Sequence, residues 1–463
     1  MRAPRCTSGT GPVPATPRAA RCTPLHAVRA VLRNTRGLLA ANRDASRALL
    51  CAACVATLSG SLAAAPLDAQ AGGSLDAKAT AHATRSPDAP AFAAVVPGRP
   101  VVFPRDSGAH PGYRTEWWYA TGWLTRPDGR PLGFQITFFR SATGTDPANP
   151  SAFAPTQLII AHAALSDPDL GHLLHDQRIA RQGFDLAYAR DADTDVKLDD
   201  WRLVRAADGH YTATVRSAGF TLNLTLTPTE TPLLQGDAGY SRKGPLASQA
   251  SYYYSEPQLR VTGEIGVAAG APTSAAQDDT HAGAPHGDGS RSDARSADVS
   301  SAGAGLPRTA VTGSAWLDHE WSSTVLSADA TGWDWLGANL DDGSALMAFK
   351  VRARDGHAVW AHAALRGSDG RITSFGPGAV DFIPRRQWSS PRTATRYPVA
   401  QTVKTGALTW QLDPLFDDQE LDSRQSTGAV YWEGAVRLRR NGQAVGHGYL
   451  ELTGYDQALT FEK

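Results

Sequence analysis

Residues 316–323 read WLDHEWSS, with Asp318, His319 and Glu320 in succession and a tryptophan near either end. On a strand, alternate side chains share a face, so Trp316, Asp318 and Glu320 look one way while Leu317, His319 and Trp321 look the other. Ionisable groups among tryptophans are costly to bury without partners, and perturbed pKa values cluster at functional sites. The stretch therefore reads either as a set of catalytic groups or as a hydrogen-bonded network closing a domain interface.

The same question attaches to RTEWWYATGW at residues 114–123. Glu116 and Trp118 share one face there and Trp117 lies on the other, and Glu116 needs a cation such as Arg114 or Arg105 if it is to stay charged. In GWDWLGANL, residues 332–340, Trp333, Trp335 and Asn339 share a face opposite Asp334. SYYYSEP, residues 251–257, adds Tyr253 between two further tyrosines. Such aromatic density makes either a core or the lining for a long apolar ligand. The catalytic candidates are Asp318, His319, Glu320 and Asp334. The ligand-binding candidates are Glu116, Trp117, Trp118, Tyr253, Trp321, Trp333 and Trp335.

Other chemistries find little support. Beyond residue 72 there is no G-x-S-x-G elbow of the α/β hydrolases, and no P-loop or dinucleotide fingerprint. A secreted hydrolase remains a third option on carboxylate and histidine density alone. His172 and His175 in GHLLH, with His110, His319 and Glu320, are metal-ligand types, but there is no HExxH or cysteine pair, so no metal and no cofactor are expected. His162 and His362 read as hydrogen-bonded core histidines. Lysine plus arginine equals aspartate plus glutamate at 45 each, which gives no net field toward nucleic acid.

These residues must be positioned by strands. LGFQITFFR, FTLNLTLTP, SALMAFKVR and LTWQLDP have period-two character and are separated by turns such as PDG and DDG. The expected class is all-β, a sandwich or barrel. AHAAL occurs at residues 161–165 and again at 361–365. Each copy follows a similar series, TEWW, TGW, PDG in the first and HEWS, TGW, DDG in the second, which suggests two β-domains in tandem. We expect them at residues 99–310 and 311–463, with a disordered loop at 267–307 that has almost no large apolar side chain.

All four cysteines lie within the first 54 residues. LLCAACVATLSGSLAAA, an arginine-bearing segment before it and a small-x-small pattern at Ala69-Gln70-Ala71 read as a signal peptide with an N-terminal extension, residues 1–71. A lipid-modified cysteine is a weaker option. Residues 72–98 read as a flexible lead-in. The expected location is the periplasm or the exterior.

FPRDSGAHPGYRTEWWY, SYYYSEP, WLDHEWSS, GWDW, YWEGAV and GYLELTGY resemble the AttH-like exported proteins, which are related to bacterial carotenoid 1,2-hydratases. The resemblance runs from about Phe103 to Tyr455. It implies two lipocalin-like β-barrels and a hydrophobic, isoprenoid-type ligand, with cofactor-free hydratase activity. Under that chemistry Asp318 or Glu320, with Asp334 as rival, is the acid. Trp321, Trp333 and Trp335 face the cation, and His319 handles the water. His319 and Trp321 match a histidine-x-tryptophan element of the hydratases, whereas SALMAFKVR lacks their tyrosine and aspartate. The alternative is a non-catalytic carrier or envelope accessory protein, with a lipid or an envelope protein as partner.

Overall fold

Strand alternation governs the whole architecture. The computed structural model describes residues 92–146, 148–268, 305–324, 326–327 and 329–459. The signal segment, its cysteines and most of the 267–307 segment lie outside them. A first antiparallel sheet contains β1 (Thr115–Thr125), β2 (Pro131–Ala142), β3 (Gln157–Ser166), β4 (Leu173–Arg181), β5 (Ala187–Ala189), β6 (Asp195–Leu198), β7 (Trp201–Arg205), β8 (Tyr211–Arg216), β9 (Phe220–Thr227), β10 (Leu233–Leu234), β11 (Tyr240–Arg242), β12 (Ala250–Val267) and β13 (Arg308–Ser322). The second contains β14 (Ala330–Leu340), β15 (Ala345–Ala353), β16 (Ala358–Arg366), β17 (Ile372–Phe375), β18 (Val380–Ser389), β19 (Arg396–Thr405), β20 (Leu408–Pro414), β21 (Glu420–Ser423), β22 (Ala429–Arg440) and β23 (Gln443–Leu452).

Both sheets follow one topological plan. A four-strand meander, β4-β3-β2-β1 or β17-β16-β15-β14, meets the last strand of its own sheet, β13 or β23, and the order then runs back through the middle strands. The sheets curl so that β3 and β4 approach β5 and β6, and β15 and β16 approach β18. The protein is thus all-β, with two lipocalin-like barrels.

The expected boundary at residues 310 and 311 is corrected by β13. This strand pairs with both β1 and β12, so WLDHEWSS closes the first barrel rather than opening the second. HEWS is the antiparallel neighbour of TEWW, with Trp118 opposite His319, and not its counterpart in a second copy. The lead-in is also shorter than expected. Val95 is buried with Tyr252 and Trp321, and the Tyr252 hydroxyl bonds both the amide and the carbonyl of Val96 at 2.9 Å.

The main apolar cores follow from the alternation. Trp118, Ala120 and Leu124 of β1 fill the first barrel, and Leu336, Leu346 and Leu450 fill the second. Tyr119, Trp123, Trp316, Trp335, Met347 and Phe349 point outward from their barrels and pack between them. β15 is buried along its whole length because both its faces are covered, which is why SALMAFKVR reads as a nearly continuous apolar run. At Gly133 on β2 an added Cβ would lie 2.6 Å from the Ala435 Cβ of β22, so only glycine permits this close approach of the sheets. A bulge at Gln258, whose φ is 57°, adds a polar clamp. There the Asn339 Oδ1 accepts the Gln258 amide at 2.9 Å, while Asn339 Nδ2 donates to the Ala315 carbonyl at 3.0 Å.

Candidate functional site

Cross-strand registers build a cavity of about 160 Å³ between the barrels. On the first sheet one ladder places Thr137, Tyr119, Asp318 and Ser255 side by side, and the next places Phe139, Trp117, Glu320 and Tyr253. On the second sheet Trp335, Glu451 and Glu433 form a ladder across β14, β23 and β22, with Trp333 two residues before Trp335. Thr115, Phe349, Val351, Tyr431, Leu326 and Lys243 complete the lining.

Asp318 is the central polar group of the wall. Its Oδ1 accepts hydrogen bonds from Ser255 Oγ and Trp316 Nε1, and its Oδ2 accepts one from the Tyr253 hydroxyl, each at 2.6 Å. These donors favour the carboxylate. Burial outweighs them and, with the nearby charge of Glu320, pushes Asp318 up to about 7. The Tyr253 hydroxyl also accepts the Trp335 Nε1–H at 3.1 Å, which ties the carboxyl to the facing barrel. Glu320 is held by Lys243 Nζ at 2.9 Å. That ammonium lies 4.3 Å from the Phe349 ring and 4.6 Å from the Tyr253 ring.

Glu433 and Glu451 stand directly opposite one another on β22 and β23. Like charges at such a pair repel. Burial first, and Glu451 next, raises Glu433 well above the usual carboxylate range. Burial, with the charges of Asp318 and Glu320, pushes Glu451 up to about 7. Oε1 of Glu433 completes no hydrogen bond among the described residues. The site is therefore an aromatic chamber in which two carboxyl groups, Asp318 and Glu451, are poised near neutrality.

The opposite face of β13 and β1 makes a second, closed network. Glu116 Oε1 accepts from His110 Nδ1 at 2.6 Å and from His319 Nε2 at 2.8 Å. Its Oε2 accepts from the His110 amide and from Arg140 Nε, both at 2.8 Å. Arg140, rather than Arg114 or Arg105, is thus the cation that Glu116 requires. Burial alone would raise Glu116, but the bonds from His110 and His319 hold it well below the usual range. Burial opposes charge on His110 too, yet its bonds to Asp106 and Glu116 keep its pKa raised. Burial lowers His319, against the bond and charge of Glu116. With its proton on Nε2, its Nδ1 accepts the Tyr254 hydroxyl at 3.2 Å. His110 stacks on Trp321 with centroids 3.8 Å apart, and His319 stacks on Trp118 at 4.6 Å.

His110, Glu116 and His319 bring their ligand atoms within 4.8 Å of one another, close enough for a metal ion. Hydrogen bonds already engage both Glu116 oxygens, however, so the set is complete as a protein network. Among the described residues His172 and His175 do not join it, and Glu320 is on the cavity side. His162 is bonded as expected, to the Tyr431 hydroxyl at 2.8 Å and Ser426 Oγ at 2.9 Å, and burial lowers it to about 3. His362 differs, because its Nε2 is buried without a hydrogen-bond partner among the described residues.

The sequence candidates are therefore divided. Asp318, Glu320, Trp117, Trp333 and Trp335 line the cavity, with Tyr253 bonded behind Asp318. Glu116, Trp118, His319 and Trp321 do not line it, because alternation turns them to the other face of their strands. Asp334 is turned away as well, accepting from Arg352 Nε and the Tyr455 hydroxyl, each at 2.9 Å. Glu433 and Glu451 were not singled out from the sequence, although YWEGAV and GYLEL each carry a glutamate on an apolar strand. Lys243 gave no signal, since it lies in the turn after β11.

Fold and cavity together define a lipocalin-like protein of two barrels with a chamber at their junction. The sequence matches the AttH-like family over residues 94–275 and 296–455, and the chain belongs to that family. It is similar to the crystal structure of a Nitrosomonas europaea protein assigned as an AttH, at 53% identity and a TM-score of 0.67, covering 79% of this chain and 100% of that one. It is also similar in fold to kievitone hydratase from Nectria haematococca, at 13% identity and a TM-score of 0.54, covering 80% of this chain and 98% of that one. Among curated proteins no match is found.

Proposed function

We propose that the chamber binds the apolar end of an isoprenoid-type molecule and hydrates its terminal double bond without a cofactor. The observation that carries this reading is Asp318, a fully buried carboxyl raised to about 7 and facing tryptophan and phenylalanine rings. A carboxyl poised near neutral pH can act as a general acid. In the proposed step the Asp318 O–H bond breaks and its proton joins the less substituted CH carbon of the terminal double bond. The adjacent carbon becomes a tertiary cation beside Trp117, Trp333 and Trp335. Water oxygen bonds to that carbon, and Glu451 takes the released proton. His319 has no part in this scheme, because its nitrogens are engaged with Glu116 and Tyr254. The solved hydratase of the same fold is an analogy of fold only.

One observation favours a carrier without turnover. The histidine-x-tryptophan element that resembles the hydratases is locked in the Glu116 network, away from the chamber. Under that reading the barrels hold a lipid or serve an envelope partner. We also propose export, on the apolar segment 49–65 and the lack of cysteine after residue 54.

Native mass spectrometry with lipid extraction, on protein taken from its own host, tests for a bound polyene or prenyl lipid. Incubation with that lipid in heavy-oxygen water then tests turnover. A labelled alcohol that Asp318→Asn no longer forms supports hydration. A bound lipid that stays unlabelled favours the carrier, and a protein that takes up no isoprenoid overturns hydration and lipid carriage and leaves the envelope-partner role.

A further inference from the structure

Neutral alkenes do not account for the number of carboxyl groups on the chamber walls. Asp318 reaches it from β13, Glu433 from β22 and Glu451 from β23, while Glu320 is already matched by Lys243. Lys243 is the one cationic side chain among the described lining residues, so three carboxyl groups face a common space with no cation of their own. Glu433 is 2% exposed, and its Oε1 completes no hydrogen bond among the described residues. Around these acids stand the rings of Trp117, Trp333, Trp335 and Phe349.

We infer that this chamber is a receptor for an organic cation, a protonated or quaternary alkylamine whose charge sits among Glu433, Glu451 and Asp318 and whose carbon groups lie on the tryptophans. The inference rests on the same chamber as the proposed hydration but needs no turnover. Rings surrounding a substituted ammonium attract it through their quadrupoles, and desolvation strengthens the attraction. The buried acids supply the opposite charge, and in a chamber shielded from water that charge is little screened. Size limits the head group. A cavity of about 160 Å³ compares with the engineered one of about 150 Å³ that holds benzene, so the head carries small branches.

Binding of a cation is coupled to protons. Without one, burial keeps Glu433, Glu451 and Asp318 partly or wholly protonated near neutral pH. When the ammonium enters, a carboxyl ionises and its proton goes to the buffer, so the net charge of the chamber is unchanged. The other titratable groups facing the site do not take up that proton. Tyr119 from β1, Tyr253 from β12 and Tyr431 from β22 are all raised well above their ordinary values and stay neutral. Glu320 is already held by Lys243.

Calorimetry with benzyldimethylamine and its uncharged carbon isostere isobutylbenzene, in two buffers of different ionisation heat near neutral pH, tests the proposal. The amine should bind at least about tenfold more tightly than the isostere and release on the order of one proton per site. Glu433→Gln or Glu451→Gln should weaken the amine about tenfold and leave the isostere unchanged. The wild-type comparison needs no variant, so a substitution that fails to fold leaves the test intact. Equal affinities without proton release, or no amine binding, overturns the inference. If amine binding fails while labelled alcohol still forms, the hydration reading stands alone. Amine binding without turnover leaves the receptor standing alone.

Discussion

Asp318→Asn separates the two things that the buried carboxyl does. In the folded protein its pKa is about 7 against an ordinary 3.8, a difference worth about 4 kcal/mol at about 1.4 kcal/mol per unit. The folded pKa is raised, so the native state holds a proton that the unfolded chain has released. The group's stability is therefore fully present below about pH 4 and is lost as the pH rises through about 7. Asparagine lacks that slope. Its Nδ2 cannot accept the Tyr253 hydroxyl, which costs about 1–2 kcal/mol at every pH. At about pH 9 the variant should then be more stable than wild type by about 2–3 kcal/mol, and at about pH 4 it should be less stable by about 1–2 kcal/mol. Urea unfolding at several pH values, analysed as a free-energy difference between the two proteins, reads this directly. Glu433 contributes the same slope to both and cancels, whereas without the Asp318 charge Glu451 is raised less, which adds to the variant's advantage at high pH. Parallel curves for wild type and variant would refute the argument that burial dominates the three donors. Loss of labelled alcohol in a variant that is more stable at high pH would show that the proton, not the fold, was removed.

Three further outcomes are expected. Glu116→Gln leaves His110 and Arg140 without their carboxylate and should destabilise by about 3–5 kcal/mol in urea, while isoprenoid binding in the chamber persists. Since the folded pKa of Glu116 is lowered, its contribution is present at neutral pH and disappears on acidification, and a variant that loses binding but keeps stability would reassign this network to the site. Gly133→Val inserts methyl groups where the Ala435 Cβ already lies 2.6 Å from a new Cβ, and should cost about 1–3 kcal/mol as the sheets part; an unchanged melting temperature would show that the barrels are not in close contact there. Chelation should leave the melting temperature unchanged, because hydrogen bonds occupy the oxygens of Glu116; a fall on chelation, restored by a divalent cation, would make His110, Glu116 and His319 a metal centre.

Much of the site was legible because a strand has a fixed period. The alternation that puts Asp318 and Glu320 on one face and His319 on the other can be read in WLDHEWSS, and the fold keeps it. So can the all-β class, from short period-two segments between glycine turns. Trp117, Trp333 and Trp335 followed from the same rule. What alternation leaves open is which face meets what. Trp118 and Trp321 belong to aromatic runs like those of the chamber, yet they stack on histidines on the far side of their strands.

The tertiary structure alone decided the partners. Pairing of β13 with β1 and β12 is a long-range choice of register, and it moved WLDHEWSS into the first barrel. Glu433 and Glu451 lie more than a hundred residues from Asp318 and stand on separate strands, so neither signals its role locally. Only the packing of the two barrels puts these carboxyls into one water-poor space, where burial and mutual repulsion, rather than residue type, set which of them keeps its proton.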